Sequence, residues 1–245
     1  MGARVSIAEL VWAVCGDRAD ELGARLGGRM TASPRFRAFL EEHRDKIGKK
    51  ARAARDAEGT RDLALELEVA YRLLDERRFA LRYETYAAGK TRGPDFTVIY
   101  KERPAYNVEV KRLRGALDAG AFGKWGNAVC DKVAQMPPSI PNVVLIGAQG
   151  RDAASFDAAG ALARLRRLAE GGDDAFFARR GYQDARDFLR TLPRLSAVLY
   201  VAGWNADAPD AVALWANALA KHQLAPEVAR MLAGVWAAGE RASAP

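Results

Sequence analysis

Apolar residues recur at helical spacing over 6–26, at Ile7, Leu10, Val11, Val14 and Leu22, and Gly27-Gly28 predicts where that helix stops. Ser33-Pro34 predicts a second start, with Ser33 as the N-cap and Pro34 at the first helical position. The later half of this helix is basic, carrying Arg44, Lys46, Lys49, Lys50, Arg52 and Arg55. A third helix is predicted over 62–78. The pattern then changes to alternation over 79–86, with Phe79, Leu81, Tyr83 and Thr85 on one face of a strand. A loop over 88–94 follows, then strands over 95–101 and 106–111, joined through 102–105 as a hairpin. A helix over 120–135 ends at Pro137-Pro138, and 142–147 reads as a short strand buried on both faces. Helices are predicted over 158–170 and 174–192, a strand over 196–202, and helices over 212–220 and 226–237. A frayed tail over 241–245 closes the chain.

This order predicts an α/β protein with a central mixed β-sheet flanked by helices. It also suggests three segments: a helical N-terminal extension over 1–58, a core over 59–150, and a C-terminal extension of helices and a strand over 151–245. The 245 residues suffice for one large domain or two small ones, and 49% apolar with 28% charged residues is ordinary for a folded chain. Lys and Arg number 38 against 31 Asp and Glu, a net +7 that favours acidic partners such as nucleic acid.

Several chemistries are disfavoured. Cys15 and Cys130 are far apart and form no Cys/His cluster, which argues against zinc. His43 and His222 stand beside no nucleophile. Gly89-Lys90-Thr91 lacks the upstream glycine of a phosphate-binding loop. No apolar run reaches membrane-spanning length and the first ten residues carry no leader pattern, so a reducing cytoplasm is the expected setting. Trp125, Trp204, Trp215 and Trp236 are spaced as core or interface residues rather than as base-stacking platforms.

The hairpin carries the informative chemistry. If it closes symmetrically about Arg103, Asp95 lies opposite Lys111 and Thr97 opposite Glu109. Asp95, Glu109 and Lys111 then leave one face together, and any even register shift preserves this while an odd one breaks it. Two carboxylates beside an ammonium suit a hard divalent cation such as Mg2+, completed by waters and a backbone carbonyl. On the preceding helix, Glu66 falls inside the apolar arc of Leu63, Leu67, Ala70, Leu73 and Leu74, whereas Glu68 falls on the far side with Arg72 and Asp75. Glu66 is therefore expected inside, as a site residue or as the partner of an arginine, and Glu68 outside.

These residues resemble the PD-(D/E)xK nuclease superfamily. Its signature is similar to Pro94-Asp95 followed by Glu109-Val110-Lys111, the single acidic-x-Lys triplet of the chain. Its helix acid is similar to Glu66, and its core order of helix, three strands, helix and strand matches the order predicted from 62 to 147. Arg112-Leu-Arg114 and Leu214-Trp-Ala-Asn217 resemble segments of uncharacterised bacterial members. The resemblance implies a restriction-endonuclease-like core and a Mg2+-dependent nuclease, with Mn2+ as the alternative ion and DNA as the expected substrate. It implies Asp95, Glu109 and the Val110 carbonyl as metal ligands, with Glu66 binding directly or through water, and Lys111 orienting the attacking water. Lys132 and Gln135 fall on the following helix, where such proteins place a further polar site residue; for Lys132 an ordinary exposed helix face is the plainer expectation. Arg112 and Arg114 would contact flanking phosphates. The segments outside the core are expected to serve substrate recognition or a homodimer contact. The alternative is an inactive nucleic-acid-binding or protein-interaction module on the same fold.

Overall fold

A computed structural model describes residues 5–16, 21–84, 93–117, 120–150 and 152–237. Most of the expected 88–94 loop and the whole 241–245 tail lie outside the described residues. The chain forms two compact units, Met1–Arg77 and Arg78–Pro245.

The first unit is helical: α1 (Ile7–Cys15), α2 (Glu21–Ala32), α3 (Pro34–Ala53) and α4 (Ala57–Asp75). The α1 N-terminus is closed by a capping box in which Ser6 accepts from Glu9 N–H and the Glu9 carboxylate accepts from Ser6 N–H. The chain leaves α1 at Gly16, whose φ of 57° is left-handed and suits glycine. The expected single helix over 6–26 is therefore two, and the expected stop at Gly27-Gly28 lies inside α2. Each glycine costs a helix interior about 1 kcal/mol, which the buried Leu22, Leu26 and Met30 of α2 outweigh. Ser33 caps α3 by accepting from Phe36 N–H at 3.2 Å, with Pro34 in the first turn, as the sequence predicts. Asp56 caps α4, and Arg35 of α3 donates to the carbonyls of Leu74 and Glu76 at the other end. The helix that the sequence groups with the following strands thus belongs to the first unit.

α4 corrects the wheel. Glu68, expected in solvent, is 2% exposed and receives Arg72 Nε at 2.9 Å, Arg25 Nη2 at 3.0 Å and Arg29 Nη2 at 3.0 Å. Glu66 is less buried, and its Oε1 accepts from Lys50 Nζ at 2.7 Å. A wheel with one apolar arc presumes one buried side. Leu65 and Val69 are as buried as Leu67 and Leu73, so α4 is covered over more than one arc.

The second unit is built on a six-stranded sheet in the order β1 (Phe79–Tyr83), β2 (Phe96–Tyr100), β3 (Arg103–Arg112), β4 (Asn142–Ala148), β5 (Ala197–Ala202), β6 (Ala211–Ala216). β1, β2 and β3 form an antiparallel meander, β3, β4 and β5 are parallel, and β6 returns antiparallel. α5 (Ala121–Gln135) links β3 to β4. α6 (Ala158–Glu170), α7 (Asp174–Ala178) and α8 (Ala185–Thr191) link β4 to β5, and α9 (Pro226–Ala237) follows β6. This is the expected α/β fold, a mixed sheet flanked by helices. Every residue of β4 and β5 is buried, in accord with their unbroken apolar runs. On one face, Val144, Ile146, Val198 and Tyr200 pack with Trp125, Val129 and Val133 of α5, Leu165 of α6 and Phe188 of α8. Trp125, Trp204 and Trp236 are buried, as expected of core residues.

The helix expected over 212–220 is replaced by β6. Val212, Leu214 and Ala216 also fit a period of two, and pairing with Val201, Leu199 and Ala197 of β5 decides between the periods. The long helix expected over 174–192 is divided into α7 and α8 by a turn containing Gly181, whose φ is 83°. No helix among the described residues is long and apolar enough to cross a membrane.

Candidate active site

The hairpin between β2 and β3 turns through Lys101 and Glu102, whose φ values of 50° and 64° make a two-residue turn, not the 102–105 link expected. That turn sets Tyr100 opposite Arg103 and Ile99 opposite Pro104. Carried along the strands unchanged, this register would put Asp95 opposite Val108 and send the Glu109 side chain to the other face. A bulge prevents it. Pairing resumes with Val98 opposite Tyr106, leaving Ala105 as the extra residue, and Phe96 then faces Val108. One residue further, Asp95 lies beside Glu109. The symmetric closure about Arg103 is thereby corrected: Thr97 faces Asn107 rather than Glu109, and Lys111 lies beyond the pair. The shift is even, so Asp95, Glu109 and Lys111 keep one face.

The backbone explains how Asp95 is held. Asn107 N–H donates to Pro141 O at 2.9 Å and Leu113 N–H to Gly147 O at 2.8 Å, so odd-numbered residues of β3 bond β4 and even-numbered ones face β2. β2 begins at Phe96, which leaves the Val110 N–H without a ladder partner. Asp95 Oδ2 accepts it at 2.8 Å. In a strand the N–H and C=O of one residue leave on the same side, so the Val110 carbonyl also leaves toward Asp95.

The two carboxylates share a cation. Asp95 and Glu109 are each 4% exposed, and Lys132 of α5, 7% exposed, donates to Glu109 Oε2 and lies 3.8 Å from Asp95 Oδ2. The expectation of an exposed Lys132 is overturned because α5 packs on the face that Glu109 leaves. Lys132 is on its inner side with Val129 and Val133. The ammonium beside the pair is therefore that of Lys132. Lys111 is half-exposed, with its Nζ 3.9 Å from Asp131 Oδ2.

The remaining candidates are placed differently. Gln135, one turn beyond Lys132, is exposed. Arg112 is buried and Arg114 exposed at the end of β3. Glu66 belongs to the first unit, on Lys50. Among the described residues, no three His, Cys, Asp or Glu side chains gather as a metal-binding group. The donor set that is present suits a hard cation: two carboxylates that already share one positive charge, with a main-chain carbonyl leaving on the same side.

A second polar feature had no signal in the sequence. Thr97 donates to Asn107, Asn107 to Asn142, and Ser196 accepts from Asn142 N–H and donates to the carbonyl of His222, all between 2.6 and 2.9 Å. These buried groups satisfy one another across β2, β3, β4 and β5 at the amino ends of the parallel strands. The carboxylate pair lies toward the carboxyl end of β3, where open α/β sheets place their ligands. Position thus separates a structural ladder from a candidate site. Compared with family models, curated proteins and solved structures, the chain matches none.

Proposed function

We propose that the protein is a metal-dependent nuclease that hydrolyses phosphodiester bonds, with DNA as its substrate. The observation that carries this reading is the Asp95–Glu109 pair: two buried carboxylates turned to one face by a bulge, sharing a cation, with Lys111 on the same strand face. A structural role alone accounts poorly for such a pair. Apolar residues of similar volume are commonly as stabilising as a buried ion pair, because each charge must be stripped of water. The helix–three strands–helix–strand order from α4 to β4 also accords with the superfamily that the motif resembles.

Asp95, Glu109 and the Val110 carbonyl would hold Mg2+ or Mn2+, which acidifies a bound water and stabilises charge on a phosphoryl oxygen. The chain's own groups have distinct tasks. The Val110 N–H fixes one oxygen of Asp95 and so orients the other. Glu109 is held in β3 opposite Val144 of β4, which keeps its carboxylate in place. Lys111 orients the nucleophilic water and offsets charge that develops on the phosphoryl group. The exposed Arg114 meets a flanking phosphate.

The test is incubation of supercoiled plasmid and linear single-stranded DNA with the protein in Mg2+, Mn2+ or EDTA, beside Lys111→Ala and Glu109→Gln. Metal-dependent cleavage lost by at least about a hundredfold in both variants is expected. Absence of cleavage by the wild type in all arms removes the reading. One observation favours a second one, an inactive nucleic-acid-binding or interaction module: the carboxylates already have Lys132 as a partner and Lys111 is beside Asp131. That module would bind DNA in a salt-sensitive way, unaltered by EDTA or by Asp95→Asn.

A further inference from the structure

Lys132 places its ammonium against both carboxylates that would hold a divalent cation. Its Nζ is bonded to Glu109 Oε2 and is 3.8 Å from Asp95 Oδ2, and its side chain is 9% exposed. An ammonium and a divalent ion repel each other beside the same two carboxylates. Lysine differs from arginine here: a single point charge on a flexible four-carbon stem can withdraw toward water while α5 stays packed. The packing of α5 is secured independently by Trp125, Val129 and Val133, which are wholly buried.

We infer that Lys132 is a built-in counter-cation that competes with the divalent metal for Asp95 and Glu109, holding the pair together in the metal-free protein and yielding it on metal binding. This rests on the metal-site reading above. It makes metal affinity adjustable through a residue that is not itself a ligand.

The experiment measures Mn2+ binding by electron paramagnetic resonance of the free ion, without DNA or turnover. It uses full-length wild type, Lys132→Met, Lys132→Arg and Asp95→Asn. Lys132→Met keeps the stem and removes the charge, and it should bind Mn2+ about tenfold tighter or better, the worth of one charged hydrogen bond. Lys132→Arg keeps the charge and should bind no tighter than wild type. Asp95→Asn should lose binding. If Lys132→Met is unfolded without metal, the same inference requires Mn2+ to restore its cooperative melting, and failure to do so overturns it. Unchanged or weaker binding by folded Lys132→Met overturns the counter-cation role alone. Absence of Mn2+ binding by both wild type and Lys132→Met overturns the metal site and the nuclease reading with it.

Discussion

At the scale of single residues, the charges inside this protein are set by their partners. Glu68 holds three guanidiniums, from Arg25, Arg29 and Arg72, and its side chain is 1% exposed. Glu68→Gln keeps the shape and removes the charge they converge on. It should cost about 3–5 kcal/mol, as breaking a buried ion pair does, measured by urea unfolding. A loss below about 1 kcal/mol would mean the arginines are neutralised elsewhere. His43 supplies a pH dependence. Burial holds its pKa below the ordinary 6.5, against the opposing pull of Glu42 and with a smaller push from the Lys46 charge. The unfolded chain then takes up a proton at a higher pH than the folded one. Stability is intact above about 6.5 and falls as pH drops through that value toward the folded pKa. His43→Phe, which keeps an aromatic beside Phe39, should flatten the decline of Tm between pH 7 and 5; an unchanged slope would assign it to other groups.

At the scale of elements, the β2–β3 hairpin decides whether a site exists. Lys101 and Glu102 are in left-handed conformations that cost L-residues about 1–2 kcal/mol each, and Asn-Gly is the pair such turns prefer. Lys101→Asn with Glu102→Gly should therefore raise stability by about 1 kcal/mol in urea. The double substitution also removes the Lys101–Glu227 ion pair, which at 3.8 Å and largely exposed is worth little. A fall in stability would show that the turn is held by its side chains instead. The bulge at Ala105 is the more consequential feature. Motif spacing can propose that Asp95 and Glu109 share a face, and they do, although by a route the symmetric hairpin did not contain. An odd register from the turn is corrected by one extra residue, and Pro104 beside it precedes the stretch of β3 that pairs with β4.

At the scale of the whole molecule, the net charge of +7 is the property a polyanionic partner would feel. Arg44, Lys49, Arg52 and Arg55 are exposed on or just beyond α3. If that surface tracks phosphates, binding to a DNA duplex should weaken with salt. The triple variant Lys49→Glu, Arg52→Glu, Arg55→Glu should reduce the slope of log K against log salt by up to about 3, nearly one per phosphate contact. A slope that stays at the wild-type value would place the DNA-facing surface elsewhere.

The sequence by itself determined what local patterns determine. Helix starts at Ser6 and Ser33, the buried runs of β4 and β5, the α/β class and the shared face of Asp95 and Glu109 are all consequences of neighbours along the chain. Tertiary structure decided the rest, because those choices depend on residues distant in sequence. Pairing with β5 made a strand of 211–216, and coverage from several sides buried Glu68 rather than Glu66. The packing of α5 across β3 brought Lys132, twenty-three residues away, onto the carboxylates. Lys111 and Lys132 are each spelled the same way in sequence. Only the side of the helix or strand that meets another element gives one of them the buried charge to answer.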